Sequence, residues 1–139
     1  MSNVKTARAS WTGKELEFDA SLGSGYQFSM SSHPGEESGG PMEMLLAGVV
    51  GCTGIDVVSI LQKMRQNVQS VDVEITAVRA EDYPMVYTAA ALLYTVRGEN
   101  IDPKAVEKAI ELSEEKYCSA SIMFRRAGVK MSTSYQIIP

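Results

Sequence analysis

Two cysteines, Cys52 and Cys118, have the widest chemical options in this chain. A thiolate attacks electrophiles and forms reversible disulfides, so a pair of thiols makes redox chemistry the first function to weigh. Cys52 lies near the middle of a run, Pro41 to Met64, that reads as a helix apolar around most of its circumference. Such a helix needs cover on several sides. Cys118 ends one helical pattern and precedes another, where free amides and the helix dipole favour a negative sulfur. Asp56 follows Cys52 by one helical turn and opposes thiolate formation if it faces the same side. On local environment alone, Cys118 is the more acidic thiol. The plain alternative is that each cysteine is a small buried hydrophobe.

Glu43 is the next candidate, a carboxylate in the first turn of an apolar helix. Its structural role would be to complement the dipole at the helix N-terminus. Its chemical role would be to take a proton or hold a guanidinium near the thiol. On a straight helix the step from 43 to 52 is roughly 900° of rotation and ~13.5 Å of rise, so the two side chains point apart. Glu43 therefore serves Cys52 only if Gly48 or Gly51 breaks the helix, or if two copies of the helix pack together. The demand for cover on every side also points to a dimer. Arg8, Arg65, Arg79 and Arg97 are all candidate partners for Glu43, and the residues do not choose among them. His33, alone in a polar loop beside Pro34, reads as solvated. Two cysteines and one histidine are too few for a self-contained structural zinc site.

The elements that must position these groups follow from patterning. Residues 3–10, 14–21 and 25–31 read as strands, and Leu16, Phe18 and Ala20 give the hairpin one dry face. A polar loop from Ser31 to Gly40 leads to a helix from Pro41 to about Gln66, with proline at its first position. Residues 70–80 and 85–97 are strands, and the apolar run Tyr87 to Tyr94 suggests a central strand covered on both faces. Asp102-Pro103 caps a helix to about Tyr117 that turns Val106, Ala109, Ile110 and Ser113 inward and Glu111, Glu114 and Glu115 to water. A short helix over 119–127 is stopped by Gly128, and 129–138 closes the chain as a strand. The order βββ-α-ββ-αα-β is an α+β arrangement, read as one domain over residues 1–139.

Composition narrows the function classes. A chain that is 45% hydrophobic and 22% charged is globular, and a formal charge of -4 with no basic cluster beyond Arg125-Arg126 argues against nucleic acid. The N-terminal Met1-Ser2-Asn3-Val4-Lys5 lacks the apolar run of a leader, so a cytoplasmic location is expected. Asp56, Lys63 and the glycines at 48, 51 and 54 argue against reading the long helix as membrane-spanning.

Taken together, Pro41-Met42-Glu43-Met44-Leu45-Leu46-Ala47-Gly48, Gly51-Cys52-Thr53, Asp56-Val57-Val58 and Tyr117-Cys118-Ser119 resemble the OsmC/Ohr family, on its YhfA-like branch. The resemblance covers essentially the whole chain. It implies an intertwined homodimer whose sheets wrap central helices, and a thiol-dependent peroxidase that reduces organic hydroperoxides. By that resemblance Cys52 attacks the peroxide, Cys118 resolves the sulfenic acid to a disulfide, and Glu43 helps hold a catalytic arginine. An external dithiol re-reduces the pair, with no metal or other cofactor. The resemblance reverses the local ranking of the thiols. One departure stands out: the family's peroxidases carry that arginine before the helix, and the stretch from Gly23 to Met42 has none. It offers Ser31, Ser32 and His33 instead. The alternative function is a non-catalytic thiol redox sensor or an apolar-ligand-binding protein of the same fold.

Overall fold

The computed structural model describes residues 3–139, so the first two residues of the stretch read for a leader lie outside it. Its elements follow the predicted order: β1 (Ala7–Trp11), β2 (Glu17–Leu22), β3 (Gln27–Ser31), α1 (Pro41–Lys63), β4 (Asn67–Arg79), β5 (Tyr87–Glu99), α2 (Pro103–Leu112), α3 (Ser119–Arg126) and β6 (Lys130–Ile138). Between α2 and α3 the chain makes a π-helical turn, Ser113–Tyr117. This is an α+β fold with two three-stranded sheets, β1-β2-β3 and β4-β5-β6. The chain packs as two compact units that divide between Leu46 and Ala47.

The first unit is the antiparallel sheet β1-β2-β3, the loop after it and the first turn of α1. Pairing of Trp11 with Phe18 leaves residues 12–16 as a turn, in which Gly13 and Glu15 take positive φ values of 86° and 46°. Leu16 therefore falls outside the strand, and of the expected dry face only Ala20 is buried. At the start of α1 the Gly40 N–H donates to Glu43 Oε1 at 2.9 Å, half of a capping box in which the third helical residue reaches back to the cap.

The second unit holds the rest of α1, the sheet β4-β5-β6 and the two later helices. β4 and β5 pair antiparallel, whereas β5 and β6 are parallel, which requires the crossover that α2 and α3 supply. β5 is the central strand, as its sequence suggested. Within this unit only one face of it is fully covered: Leu92, Tyr94 and Val96 are buried, while Ala91 and Arg97 are exposed. Val49, Val57 and Leu61 of α1 and Val106, Ala109 and Ile110 of α2 join them in one apolar core.

Helix α1 is long and apolar enough to cross a membrane by length and composition. A core helix passes the same test, and Val49, Thr53, Val57 and Leu61 form its buried stripe at a spacing of four. The expectation of burial on several sides is not met within one chain, because Ile55 on the opposite side is 73% exposed. Asp102 caps α2 as expected, its Oδ1 accepting from the Lys104 N–H at 2.9 Å. The helix ends five residues earlier than predicted, because the turn after Leu112 closes in the wider π pattern, with the Cys118 N–H donating to the Ser113 carbonyl at 2.7 Å. One expectation is overturned here: Glu114, assigned to water for its charge, lies one turn after the buried Ile110 and is 3% exposed.

Candidate active site

The buried stripe of α1 turns Thr53 into the core and leaves Cys52 and Asp56, one turn apart, at its half-buried edge. Opposite them, the π-helical turn presents Ser113 and Glu114 inward and then opens into an extended residue, Cys118 (φ -79°, ψ 94°). This residue caps α3, and its sulfur accepts the Ser121 N–H at 3.3 Å. The result is a cluster of Cys52 Sγ, Cys118 Sγ and an Asp56 carboxylate oxygen, all within 4.8 Å of one another. Both thiols are free, Cys118 fully buried and Cys52 partly so.

A chain of hydroxyls runs behind the cluster. Thr53 Oγ1 lies 2.7 Å from Tyr94 Oη and 2.7 Å from Ser113 Oγ, and Ser113 Oγ donates to Asp56 Oδ2 at 3.0 Å. Each hydroxyl has one proton, so with Ser113 donating to Asp56, Thr53 donates to Ser113, and the Tyr94 proton is shared between Thr53 Oγ1 at 2.7 Å and Glu114 Oε2 at 3.4 Å. A second branch leads from Cys118. Ser121 Oγ donates to Glu114 Oε2 at 2.8 Å, and Arg125 Nη2 meets Glu114 Oε1 at 3.1 Å. Among the described residues no buried side-chain nitrogen or oxygen lacks a partner. A polar network this complete fixes the geometry around the sulfurs.

Burial has an electrostatic consequence that runs against the acidity expected of Cys118 at a helix N-terminus. It pushes the Cys118 thiol up from 9.0 to about 11, and the Ser121 hydroxyl and N–H pull it down by less, while Cys52 adds to the rise. A helix N-terminus favours a thiolate, but here the loss of water outweighs it. Cys118 is thus held as a neutral thiol. Burial likewise raises the Tyr94 phenol, which stays a donor.

Of the three residues singled out from sequence, the fold brings Cys52 and Cys118 together. Glu43 occupies the first turn of α1, engaged with the Gly40 N–H, and α1 continues unbroken through Gly48 and Gly51. Asp56, considered only as an antagonist of the thiolate, does face the cysteines. Glu114 and Arg125 were missed. Glu114 sits in a run of charges that looks like a solvated helix face, and its spacing of four from the apolar Ile110 is the one signal that could have found it.

Comparison with known proteins agrees with the fold. The family model for OsmC-like proteins matches residues 34–134. Protein YhfA of Escherichia coli K12 is 40% identical over 132 residues, covering 95% of this chain and 97% of that protein. The crystal structure of an OsmC-like protein from Mycoplasma pneumoniae superimposes with a TM-score of 0.85 at 13% identity, covering 100% of both chains. An organic hydroperoxide resistance protein OsmC from Legionella pneumophila does so with a TM-score of 0.72 at 14% identity, covering 98% of each chain. With the sheet order, the crossover and the family match in agreement, this chain belongs to the OsmC family, and YhfA is one of its relatives.

Proposed function

We propose that this protein is a thiol-dependent reductase of organic hydroperoxides, with Cys52 as the attacking thiol and Cys118 as the resolving one. The observation that carries this reading is the juxtaposition of the two sulfurs beside a hydrogen-bonded polar network. Cys52, at the half-buried edge of α1, is the thiol that solvent and substrate reach, whereas Cys118 is sealed in. The Cys52 thiolate attacks the distal peroxide oxygen, the O–O bond breaks, and the alkoxide leaves with a proton as an alcohol. Cysteine sulfenic acid remains on Cys52. The Cys118 sulfur then displaces hydroxide from it, forming the disulfide, and the Cys118 proton leaves with that oxygen as water. An external dithiol reduces the disulfide and becomes a disulfide itself. The net reaction is hydroperoxide plus dithiol to alcohol, water and oxidised dithiol.

The protein acts in this reading as a homodimer and as a single functional domain. Support comes from the outward face of α1, where Val50, Gly51, Gly54, Ile55 and Val58 border an open apolar groove of about 560 Å³ with Val71 and Val73 of β4. A second α1 in that groove would complete the cover that one chain leaves missing, and would offer the partner's Glu43 to the thiol site. The Legionella relative of the same fold, described as an organic hydroperoxide resistance protein, is consistent with this chemistry. One observation favours a non-catalytic redox sensor instead: a carboxylate, Asp56, stands beside the sulfurs, and the stretch from Gly23 to Met42 lacks the arginine that the family's peroxidases carry before the helix.

The deciding experiment mixes purified protein with cumene hydroperoxide and a dithiol and follows peroxide loss. The wild type consumes many equivalents, Cys52→Ser consumes none, and Cys118→Ser stalls after a single turnover. Loss limited to one equivalent in the wild type supports the sensor, and loss independent of Cys52 refutes both.

A further inference from the structure

Three groups that are each negative when ionised converge within 4.8 Å: two thiols and a carboxylate. Their mutual repulsion is relieved either by keeping protons or by placing a cation between them. Two thiolates and one carboxylate are a donor set for zinc(II), with the fourth tetrahedral position left to water. Around a tetrahedral zinc with Zn–S near 2.3 Å, ligand atoms sit about 3.8 Å apart, so the observed cluster needs to close by about 1 Å or less.

The surroundings are those of a built site rather than a chance meeting. Ser113 Oγ donates to Asp56 Oδ2 at 3.0 Å, which orients the carboxylate and leaves its other oxygen for a ligand. The Ser121 N–H donates to Cys118 Sγ at 3.3 Å, an N–H···S bond of the kind that supports a metal thiolate. Ser113 is in turn held by Thr53 at 2.7 Å, and Ser121 by Glu114 at 2.8 Å. Such outer partners fix ligand orientation and charge in metal sites. Cys118 lies on the buried side, while Cys52 and Asp56 sit at the half-buried edge, which gives an ion a way in.

We propose that Cys52, Cys118 and Asp56 form a mononuclear zinc(II) site with one exchangeable position. Binding replaces two thiol protons by the metal: Zn²⁺ with two neutral thiols and one carboxylate gives a bis-thiolate complex and two free protons. The site does not depend on the peroxidase reading. Zinc binding without peroxide turnover would leave it standing, and turnover in the presence of a chelator would leave the peroxidase standing.

The test uses reduced full-length protein in metal-free buffer. Zinc is titrated against a chromophoric chelator, and cobalt(II) serves as the spectroscopic probe. The expected result is one metal ion per chain, two protons released, a thiolate-to-cobalt charge-transfer band and the intense visible bands of four-coordinate cobalt. Asp56→Asn, which keeps side-chain shape, lowers affinity by about tenfold or more and retains the charge-transfer band. Cys52→Ser halves that band, and circular dichroism confirms that both variants are folded. Absence of a charge-transfer band in the wild type, or equal affinity in wild type and Asp56→Asn, overturns the site. Should Asp56→Asn not fold, Cys52→Ser with an undiminished band does so instead.

Discussion

Replacing Cys52 by serine leaves Cys118 as the only thiol, and its titration tests how burial and helix capping compete. The thiol is pushed up from 9.0 to about 11, with desolvation as the leading cause. At pH 8 an unshifted thiol is about one part in ten thiolate, and one at 11 is about one part in a thousand, roughly a hundredfold difference. Because the native state holds the proton more tightly than the unfolded chain, unfolding releases protons between about pH 9 and pH 11. Stability therefore falls as pH rises through that window, by two pK units in total or about 3 kcal/mol. The assay is thiolate ultraviolet absorbance against pH in Cys52→Ser, with the double variant Cys52→Ser/Cys118→Ser subtracting the tyrosines. Removing Cys52 takes away a contribution smaller than that of burial, so the midpoint drops from the native value but stays above 9. In parallel, alkylation of native Cys118 at pH 8 runs at least about a hundredfold slower than that of a cysteine peptide. A midpoint at or below 9 refutes the reasoning, since the helix N-terminus would then have won over burial.

Other predictions follow from the network and the exposed helix face. Arg125→Ala strands the buried Glu114 carboxylate and destabilises by about 2–3 kcal/mol in urea denaturation, tempered by the partial exposure of Arg125, whereas Glu114→Gln costs less because its amide still bonds Ser121. Equal losses in the two variants would contradict the ion pair. Thr53→Val breaks both 2.7 Å hydrogen bonds at constant shape and costs about 1–3 kcal/mol, so an unchanged denaturation midpoint would show the relay to be dispensable. Ile55→Glu alters an exposed position and leaves the single-chain fold intact, but on the proposed dimer reading it sediments as a monomer where the wild type sediments as a dimer. A dimer retained by that variant would place the subunit contact elsewhere.

Much of this architecture is legible in the sequence itself. The alternation Val71, Val73, Ile75, the Asp102-Pro103 cap and the stop at Gly128 each encode local structure in a few residues, and each is found where expected. The dispositions that failed depend on contacts far apart in the chain. No periodicity announces a π turn, and Glu114 was assigned to water for its charge although its spacing of four from Ile110 places it on the buried face with Ser113. The meeting of Asp56 with Cys118 arises because α1 and the end of α2 pack on the same face of β5. The acidity of Cys118 was misjudged for a related reason. A helix N-terminus is visible in sequence, but full burial of the capping sulfur is a property of the packed unit.

The most direct measurement is intact-mass and peptide mapping of reduced protein exposed to one equivalent of cumene hydroperoxide in the presence of a chelator. The account predicts loss of two hydrogen atoms and a single cross-linked species joining the peptide of Cys52 to that of Cys118. It also predicts stable sulfenic acid on Cys52 in Cys118→Ser. Unaltered thiols, or Cys52 oxidised to sulfinic acid in the wild type with Cys118 untouched, would contradict it.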